Sequence, residues 1–485
     1  MSTKRKLLIA LAIAVLVAGA FITWIWRGTP AQHTLDQLSG KDPVLVEYKV
    51  EKVPSVAVAK AIGWAANEVP VGARGLAVSR FAEGLNHPRV MLTLPNGDVL
   101  VAETNAPKGN LGSGLMSTIA TYLMKRAGAV GESPDQLVLL RDADGDGKAE
   151  GRFVLRAKDG LESPSGLAWA GGKLYVANHN AVLQFDYALG DTKLSKDPKK
   201  LMDLPPAGGH WMRNLLLSLD GKELYVAVGS ATNIGEGGMA LEVGRAAIWQ
   251  LDLASGRARQ FANGMRNTNG MSWNPSTGEL WAVVNERDML GPDAAPDYLT
   301  NVPIGAHYGW PWVYWKDQED DRVIAAAPDY FDDYVRKPEY ALGSHVAPLG
   351  MAFANGGHLL GEAYGNGAFI ARHGSWNRHP LSGYDVVFVK YDANGNPLGL
   401  PVPVLTGFLN GKGETRGRPT WLAFDKGGAL LVTDDTAGII WRVIAPGAAS
   451  SLAPKPVVVA PMKPLRNLSA DPAARTSASF KQDQP

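Results

Sequence analysis

Six segments of the chain repeat one pattern of hydrophobic and polar positions. Each begins with a short apolar strand, continues through a turn of Gly, Asp or Asn, and ends with a second apolar strand whose last residues are small or acidic. The segments lie at 91–105, 166–180, 215–230, 271–286, 351–366 and 421–436. Because short apolar runs bounded by turn residues are typical of β-strands, each segment predicts a β-hairpin.

The spacing of the six hairpins indicates their arrangement. Successive segments start roughly 50 to 80 residues apart, which suits four-stranded blades with insertions. Six blades closed into a ring leave no long free strand edge. Two β-sandwich domains would also contain hairpins, but they would not repeat one pattern along the whole body. We therefore predict an all-β, six-bladed β-propeller at 80–447, between a linker and N-terminal extension at 28–79 and a disordered Pro/Ala-rich tail at 448–485.

Residues 1–27 have the pattern of a transmembrane anchor. Lys4, Arg5 and Lys6 precede an apolar run at 7–26, and about 20 residues at 1.5 Å each span about 30 Å of hydrocarbon. The positive-inside rule then leaves the N-terminus in the cytoplasm. A cleaved signal peptide is the alternative. Both interpretations export the body of the protein, and the first predicts an inner-membrane protein with its propeller in the periplasm.

The composition excludes several kinds of chemistry. The 485 residues carry a formal net charge of +1, which provides no general attraction for nucleic acid. The chain has no cysteine, so disulfides, zinc thiolates and thiol nucleophiles are excluded. The 55 glycines suit a fold with many short strands and tight turns. A nucleic-acid partner is therefore not expected.

His210 is the first candidate for chemistry. It lies just before the third predicted hairpin, where Gly208 and Gly209 leave little steric bulk beside the imidazole. No pair of histidines has the spacing of a helix-borne metal site, so the sequence does not support a metalloprotease. A lone histidine is more often structural than catalytic. From the residues alone, both interpretations of His210 stay open.

Arginines precede two of the hairpins at equivalent positions. Arg266 and Asn267 precede the fourth hairpin, and Arg416 and Arg418 precede the sixth. Equivalent positions on different blades point at the same end of the propeller axis, so these cations are expected to converge. Converging guanidinium groups favour a bound carboxylate or phosphate. The alternative is a solvated rim of charge.

An acidic segment resembles half of a calcium-binding loop. Asp142, Asp144 and Asp146 alternate and Gly147 follows them, as in the first half of an EF-hand loop. The twelfth position, where a bidentate Glu belongs, is Phe153. A hairpin turn that uses Asp and Gly as turn residues is the simpler interpretation.

Two insertions interrupt the blade pattern. Residues 113–128 have helical spacing of apolar positions, which predicts a surface helix or a membrane-facing one. Residues 307–344 are rich in charge and in aromatic side chains, and loops at the open face of a propeller commonly form the site. The second insertion is therefore a candidate pocket wall. Its aromatic residues include Trp310, Trp312, Trp315, Tyr330 and Tyr334.

Seven motifs, taken in order, resemble those of the PQQ-dependent glucose/sorbosone dehydrogenase family (PQQ is pyrroloquinoline quinone), and most closely its membrane-bound L-sorbosone dehydrogenase branch. The motifs are GLNHPR (84–89), GGHWMRN (208–214), NGMRNTNGMSWNP (263–275), NERDMLGPDAAPDYLT (285–300), HYGWPW (307–312), HGSWNR (373–378) and RGRP (416–419). The resemblance spans about residues 80–445. Each motif alone is weak, but their joint order is specific.

The resemblance implies roles for the residues already singled out. His210 corresponds to the general base of the family. Arg266 and Asn267 would hold the reactive edge of the quinone. Arg416 and Arg418 would bind the carboxylates of the cofactor, which identifies the anion that the arginines await.

The resemblance implies a calcium site and two further contacts with the cofactor. Family members bind Ca²⁺ through main-chain carbonyls, and the matching stretch is Glu286, Arg287 and Asp288, although soluble members carry Gly-Pro there. Arg378 stands where soluble members place a lysine against the quinone. His345 lies where the family approaches the cofactor.

The function implied by the resemblance is oxidation of an aldehyde or aldose sugar, such as L-sorbosone, by hydride transfer to PQQ. The chain has no CxxCH haem motif, so electrons are expected to leave to a separate quinone or cytochrome. One alternative is a calcium-dependent, lactonase-like hydrolase, which needs axial carboxylates such as Glu103, Glu286 and Asp434. The other alternative is a non-enzymatic binding propeller.

Overall fold

The computed structural model describes residues 2–27, 29–51, 56–108, 115–129, 131–206, 208–329 and 331–457. The predicted tail falls mostly outside these residues, as does Tyr330. The first part of the chain contains one helix and four short strands: α1 (Thr3–Arg27), β1 (Ser39–Gly40), β2 (Lys60–Ala61), β3 (Val71–Gly72) and β4 (Ala77–Ala82).

The predicted membrane anchor is not supported. Among the described residues, the structure contains no helix with both the length and the apolar character required to cross a membrane.

The first three blades are four-stranded antiparallel sheets. Blade 1 consists of β5 (Pro88–Thr93), β6 (Val99–Glu103), β7 (Gln136–Arg141) and β8 (Gly151–Ala157), with α2 (Leu115–Arg126) between β6 and β7. Blade 2 consists of β9 (Gly166–Ala170), β10 (Lys173–Ala177), β11 (Ala181–Asp186) and β12 (Lys199–Asp203). Blade 3 consists of β13 (Leu215–Leu217), β14 (Glu223–Val228), β15 (Ala247–Asp252) and β16 (Ala258–Asn263). The helix predicted in the first insertion is thus present as α2.

The other three blades recruit strands from the N-terminal extension. Blade 4 consists of β17 (Asn267–Trp273), β18 (Leu280–Asn285), β19 (Pro296–Asn301), β22 (Tyr340–Ser344) and β1; its insertion holds β20 (Val313–Tyr314), β21 (Gln318–Glu319) and α3 (Phe331–Tyr334). Blade 5 consists of β23 (Pro348–Phe353), β24 (Gly367–Arg372), β25 (Asp385–Tyr391), β26 (Pro397–Thr406) and β3. Blade 6 consists of β28 (Pro419–Phe424), β29 (Leu430–Asp434), β30 (Ile439–Ile444) and β4, and β27 (Glu414–Thr415) before it pairs in parallel with β2.

The six sheets form the predicted propeller. The innermost strands β5, β9, β13, β17, β23 and β28 contact one another in a closed ring. The ring is closed by β4, an N-terminal strand that forms the outer edge of blade 6. Hydrophobic clusters fill the spaces between adjacent blades, as in the cluster that joins Val226 of blade 3 to Ala168 of blade 2. The fifth hairpin differs from its prediction, because residues 362–364 form a 3-10 turn and the second strand begins later, at Gly367.

All innermost strands begin at one end of the axis, and all second strands end there. We call this end the mouth. Register shifts at the start of β17, β23 and β28 mark bulges at this end, which is a common position for bulges near sites. Neighbouring inner strands approach so closely that a Cβ on Gly270 would lie 2.6 Å from the Leu349 carbonyl oxygen. The strands therefore bring loop residues of several blades together at the mouth.

Candidate active site

His210 lies at the mouth, in the loop between β12 and β13, and its ring is held by Ser230. Its Nδ1 lies 2.9 Å from both the carbonyl oxygen and the Oγ of Ser230. The Ser230 hydroxyl donates its own hydrogen to the Thr232 carbonyl at 2.6 Å. Both contacts of Nδ1 are therefore with acceptors, so Nδ1 carries the hydrogen of the neutral ring. Nε2 is left as a proton acceptor and has no hydrogen-bond partner among the described residues.

The environment keeps His210 neutral. Burial lowers its pKa from 6.5 to about 3, and the nearby charge of Arg266 contributes in the same direction. A neutral imidazole with a free Nε2 is the form that a general base requires before it reacts.

Asn267 lies beside His210. A Cβ built on Gly229 would lie 2.5 Å from Asn267 Oδ1 and 2.7 Å from His210 Cβ. Side chains of blades 3 and 4 therefore press against the same glycine, which no larger residue could replace without moving one of them. The Asn267 amide also approaches Asn285 Oδ1 at 3.5 Å.

Arg266 is surrounded by acceptors from the protein itself. Nε donates to the Asn233 carbonyl at 3.1 Å, and Nη1 donates to the Glu286 carbonyl at 2.5 Å. Nη2 donates to Asn233 Oδ1 at 2.8 Å and to Asp288 Oδ2 at 2.9 Å. The side chain is only 5% exposed. Its charge is thus paired with a carboxylate, and each guanidinium nitrogen already has a partner.

Asp288 links Arg266 to His345. Its second oxygen accepts from Asn377 Nδ2 at 2.9 Å and lies 3.6 Å from His345 Nδ1. Despite burial, Arg266 and His345 hold the pKa of Asp288 below its usual range. Asp288 in turn raises the pKa of His345 against the effect of burial. We call His210, Asn233, Arg266, Asp288 and His345 the His210 cluster.

Arg418 lies on another side of the mouth and has different partners. Nε donates to the His373 carbonyl at 3.0 Å and Nη2 to the Gly374 carbonyl at 2.8 Å. The guanidinium carbon lies 5.2 Å from the centre of the Tyr384 ring. Nη1 has no hydrogen-bond partner among the residues that the structure describes, and no carboxylate lies within ion-pair distance of Arg418.

Three more charged or titratable side chains surround Arg418. His373 Nε2 lies 3.1 Å from both oxygens of Asp435, and Arg89 Nη1 also donates to Asp435. Burial, followed by the charge of Arg418, lowers the pKa of His373 to about 4, so the imidazole is neutral at pH 7. We call Arg89, His373, Arg418 and Asp435 the Arg418 cluster. It holds two guanidinium groups and one carboxylate.

The neighbouring Asp434 does not pair with either guanidinium group. One oxygen accepts from the main-chain N–H groups of Arg418 and Ala437, and the other accepts from the indoles of Trp64 and Trp441. Burial raises its pKa to about 6. Buried guanidinium groups without a paired carboxylate favour an anionic ligand. The Arg418 cluster therefore fits the carboxylates expected at the mouth.

The structure does not bring Arg416 to this cluster. Its Nε lies 3.4 Å from Glu68, and its guanidinium carbon lies 5.8 Å from the Trp64 ring. Both partners belong to the N-terminal extension, which crosses this loop through the pairing of β2 with β27. Arg416 therefore lies apart from Arg418, and the convergence of Arg266, Arg416 and Arg418 stays a prediction.

Arg378 also has partners outside both clusters. Its guanidinium donates to the carbonyls of Pro292, Pro380 and His33, and to Asp293 Oδ1 at 3.1 Å. The side chain is 3% exposed. In this arrangement Arg378 links the N-terminal extension to blade 4. All three guanidinium nitrogens already donate to protein acceptors, so none is available to a cofactor.

Two of the three predicted calcium-binding carbonyls, those of Glu286 and Asp288, already accept from guanidinium groups. The Glu286 carbonyl accepts from Arg266, and the Asp288 carbonyl accepts from Arg322 at 2.9 Å. The Arg287 guanidinium lies 3.0 Å from the Glu286 carboxylate. Because guanidinium groups already donate to these carbonyls, the stretch does not fit a calcium ion in this arrangement.

Oxygen donors suited to calcium occur in the β7–β8 loop, at the face opposite the mouth. One carboxylate oxygen each from Asp142, Asp144, Asp146 and Glu150 lies within 4.8 Å of the others. The loop is the predicted hairpin turn, since Asp142 accepts from the N–H groups of Gly145 and Gly147. Glu150, at the ninth position of the loop, supplies a fourth acid, whereas the EF-hand pattern places its bidentate Glu at the twelfth.

The carboxylates that a hydrolase would require are already engaged. Glu103 accepts from Arg152 at 3.0 Å and from the Asn86 N–H at 3.1 Å. Glu286 pairs with Arg287, and Asp434 accepts from four N–H groups as described above. The geometry gives no support to the lactonase-like alternative.

Several residues of the mouth were not predicted as site residues. Asn233 and Asp435 lie outside the seven motifs, whereas Arg89 and His373 lie in the GLNHPR and HGSWNR motifs, but no role was predicted for either residue. The signal that could have found Asp435 is the acidic end of the second strand in the repeated pattern, a position that always returns to the mouth. The aromatic insertion reaches the mouth as predicted, because Trp310 donates to the Asn233 carbonyl at 2.9 Å.

Known families and proteins resemble the chain over most of the propeller. The TrAA12-like family matches residues 138–301 and 327–446, and the Glucose / Sorbosone dehydrogenase family matches residues 250–372. An uncharacterized protein of Borreliella burgdorferi is 28% identical over 298 residues, which cover 58% of this chain and 76% of the relative. A pyrroloquinoline quinone-dependent sugar dehydrogenase of Hypocrea jecorina is 26% identical over 325 residues, which cover 56% of this chain and 71% of the relative.

A solved structure confirms the fold. The holo form of the pyranose dehydrogenase PQQ domain from Coprinopsis cinerea superposes with a TM-score of 0.60 at 21% identity, and the match covers 80% of this chain and 100% of that chain. The resemblance drawn from the seven motifs is confirmed for the glucose/sorbosone dehydrogenase family. The sorbosone branch stays a prediction.

Proposed function

The chain belongs to the TrAA12-like family, and on that premise we propose that it is a PQQ-dependent oxidoreductase of sugars. Its substrate would be an aldose or an aldehyde sugar, and L-sorbosone is the narrower possibility that the motifs favour. Electrons would pass to a separate quinone or cytochrome. The observation that carries the proposal is His210, whose Nδ1 hydrogen is fixed by Ser230 and whose Nε2 is free at the mouth.

The residues at the mouth fit PQQ, which is a quinone that carries three carboxylates. Arg418 would hold one carboxylate, because its Nη1 has no partner among the described residues and its charge is unpaired. Asn267 offers an amide beside His210. When bound, the quinone would supply the oxidising group that accepts the two electrons of the substrate.

His210 would accept the proton of the substrate hydroxyl at Nε2. Ser230 supports this role because its two oxygens hold the Nδ1 hydrogen and so fix the tautomer. Burial and, after it, the charge of Arg266 lower the pKa of His210 and so keep the imidazole neutral until the substrate arrives. A positioned base contributes on the order of 10² to 10⁴ in rate.

Calcium belongs to the proposal as a second cofactor, with no step assigned to it. The oxygen donors that fit it are the carboxylates of the β7–β8 loop, whereas the Glu286 and Asp288 carbonyls are held by Arg266 and Arg322. Arg287, Arg378, Arg416 and His345 keep their predicted roles only if cofactor binding rearranges their present partners.

The proposal is tested by reconstitution. The purified protein is incubated with PQQ and Ca²⁺, and reduction of a dye acceptor is followed with a panel of aldoses and aldehydes. We expect sugar-dependent reduction in the wild type and a loss of on the order of 10² to 10⁴ in kcat for His210→Ala, with unchanged PQQ affinity.

A matched control replaces another histidine. His379→Asn changes an exposed histidine that belongs to neither cluster, and it should leave turnover unchanged. Turnover of His210→Ala equal to that of the control would remove His210 from the mechanism. A wild type that fails to bind PQQ would favour the binding-propeller alternative.

A further inference from the structure

Arg89 contacts three parts of the mouth: its own strand in blade 1, Asp435 of blade 6, and the loop that carries Trp211 and Met212. It lies in β5 at a register shift between Pro88 and Val90, which marks a bulge that can redirect a side chain. Its Nη1 donates to Asp435 of blade 6, and its Nε lies 3.3 Å from Met212 Sδ. The guanidinium carbon also lies 5.7 Å from the Trp211 ring.

These contacts bring Arg89 close to the loop of the proposed base. Trp211 and Met212 directly follow His210 in the chain, so Arg89 touches that loop from blade 1 while it pairs with blade 6. The side chain is 17% exposed. It therefore lies at the edge of the mouth, where a ligand could reach it.

Arg89 retains capacity to bind. Its Nη2 has no hydrogen-bond partner among the described residues, and the same holds for Nη1 of Arg418. Asp435 is the carboxylate nearest to both guanidinium groups, but it makes its ion pair with Arg89 and its other hydrogen bonds with His373 and Thr436. One negative charge thus faces two guanidinium groups.

The imbalance has a physical consequence. A partly buried guanidinium loses hydration, and a single shared carboxylate compensates for only one of two such charges. A carboxylate of a ligand would supply the missing charge and would accept from planar N–H donors, a geometry in which charge-assisted hydrogen bonds are strong.

We propose that Arg89 is a second anion-binding residue of the mouth, which together with Arg418 holds a carboxylate of the ligand in competition with Asp435. The inference rests on the proposed function in taking PQQ as that ligand. The inference goes beyond the proposed function because it assigns the GLNHPR motif to cofactor binding. It also gives Asp435 an effect on ligand binding that opposes the effect of Arg89.

Equilibrium binding of PQQ, followed by fluorescence or calorimetry without substrate, tests the proposal. Arg89→Gln should raise Kd by about 10- to 100-fold, because one charge-assisted contact is lost. Arg89→Lys should lose less, since the charge remains. Arg259→Gln, which removes a charge from the outer strand of blade 3, should leave Kd unchanged.

The substitution Asp435→Asn distinguishes an anion-binding role of Arg89 from a purely structural one. The substitution preserves the shape of the side chain but removes the competing charge, so PQQ should bind as tightly as in the wild type or several-fold more tightly. If Asp435→Asn weakens binding as much as Arg89→Gln, the pair is structural and the proposal fails. An unchanged Kd in Arg89→Gln would also overturn it.

A quinone-free probe keeps this inference distinct from the identity of the cofactor. Benzene-1,3,5-tricarboxylate carries three carboxylates on a flat ring and has no redox group. If the wild type binds this probe but not PQQ, and Arg89→Gln weakens the binding, the anion site stands while the PQQ assignment fails. If the wild type binds neither, the anion site itself is refuted.

A thermal melting curve of every variant shows whether it folds. If Arg89→Gln does not fold, Arg89→Lys and Asp435→Asn still decide the question through the opposite signs of their expected effects on Kd.

Discussion

The His210 cluster and the Arg418 cluster share the mouth but differ in how their charges are satisfied. In the His210 cluster, Arg266 donates to five acceptor atoms of the protein, one of which is a carboxylate oxygen of its ion-pair partner Asp288. In the Arg418 cluster, Arg89 and Arg418 share Asp435 as their one nearby mouth-facing carboxylate, and a nitrogen of each has no partner among the described residues. The first cluster is built to hold its own geometry, and the second to receive a ligand.

The difference teaches where a substitution should affect stability and where it should affect binding. Breaking a self-satisfied buried pair leaves a charge without compensation and destabilises the fold. Removing a guanidinium from an unbalanced pair costs the fold little and costs a ligand its contact. Five substitutions probe this contrast, beginning with the largest expected effect.

Asp288→Asn should destabilise the protein most. The change leaves Arg266 buried without its carboxylate, at a cost of about 3 kcal/mol in the free energy of unfolding. Chemical denaturation monitored by tryptophan fluorescence measures it. The matched change Arg418→Gln, which breaks no ion pair, should cost less, about 1 kcal/mol. Equal losses in the two variants would show that the clusters do not differ as described.

Arg418→Gln should weaken ligand binding and have little effect on the stability of the fold. Because its Nη1 is available, loss of the guanidinium should raise the Kd for PQQ by about 10- to 100-fold. The free energy of unfolding should change little, since no ion pair is broken. A titration of the apo-protein with PQQ, together with a denaturation curve, checks both parts. A large loss of stability with unchanged affinity would reverse the assignment.

The pH dependence reports the state of His210. Since burial lowers its pKa to about 3, the neutral base persists far below pH 6.5, and the acid limb of kcat/KM should lie well below that of an ordinary histidine. Removing the Arg266 charge in Arg266→Gln should raise the pKa, so the limb should move to higher pH. A pH profile of the reconstituted enzyme measures the shift. An unmoved limb would mean that another group controls it.

Protonation of the buried histidines His210 and His373 also affects the stability of the fold. The unfolded chain binds a proton at each histidine near pH 6.5, whereas folded His210 binds one only near pH 3 and His373 only near pH 4. Acidification between these values therefore favours the unfolded chain, and the stability is lost as the pH falls through this window. His210→Asn should flatten the dependence in urea denaturation measured at several pH values.

Trp64→Phe should have the smallest effect. The indole of Trp64 donates to Asp434 Oδ2 at 3.0 Å, and its loss removes one hydrogen bond worth about 1 kcal/mol. Asp434 also accepts from the Arg418 N–H, so a slight weakening of PQQ binding should accompany it. Leu452→Ala, an exposed position, serves as the control in the same melts.

The repeated hairpin pattern made the propeller predictable, because alternation of apolar residues depends on local neighbours. His210, Asn267 and Arg418 could be placed at the mouth for the same reason, since each stands just before an inner strand. Arg416 could not, although it lies two residues from Arg418. Its direction is set by Glu68 and Trp64, which are distant in sequence and arrive only when the extension packs on blade 6.

The sequence by itself determined the number of blades, the end of the propeller at which polar loops gather, and the candidate base. Tertiary structure decided how each charge is paired. Asp288 neutralises Arg266, Asp293 pairs with Arg378, Glu68 of the N-terminal extension pairs with Arg416, and Arg89 crosses to Asp435. The reason is physical: strand patterns are local, whereas an ion pair depends on distances between loops of different blades, which exist only once the ring has closed.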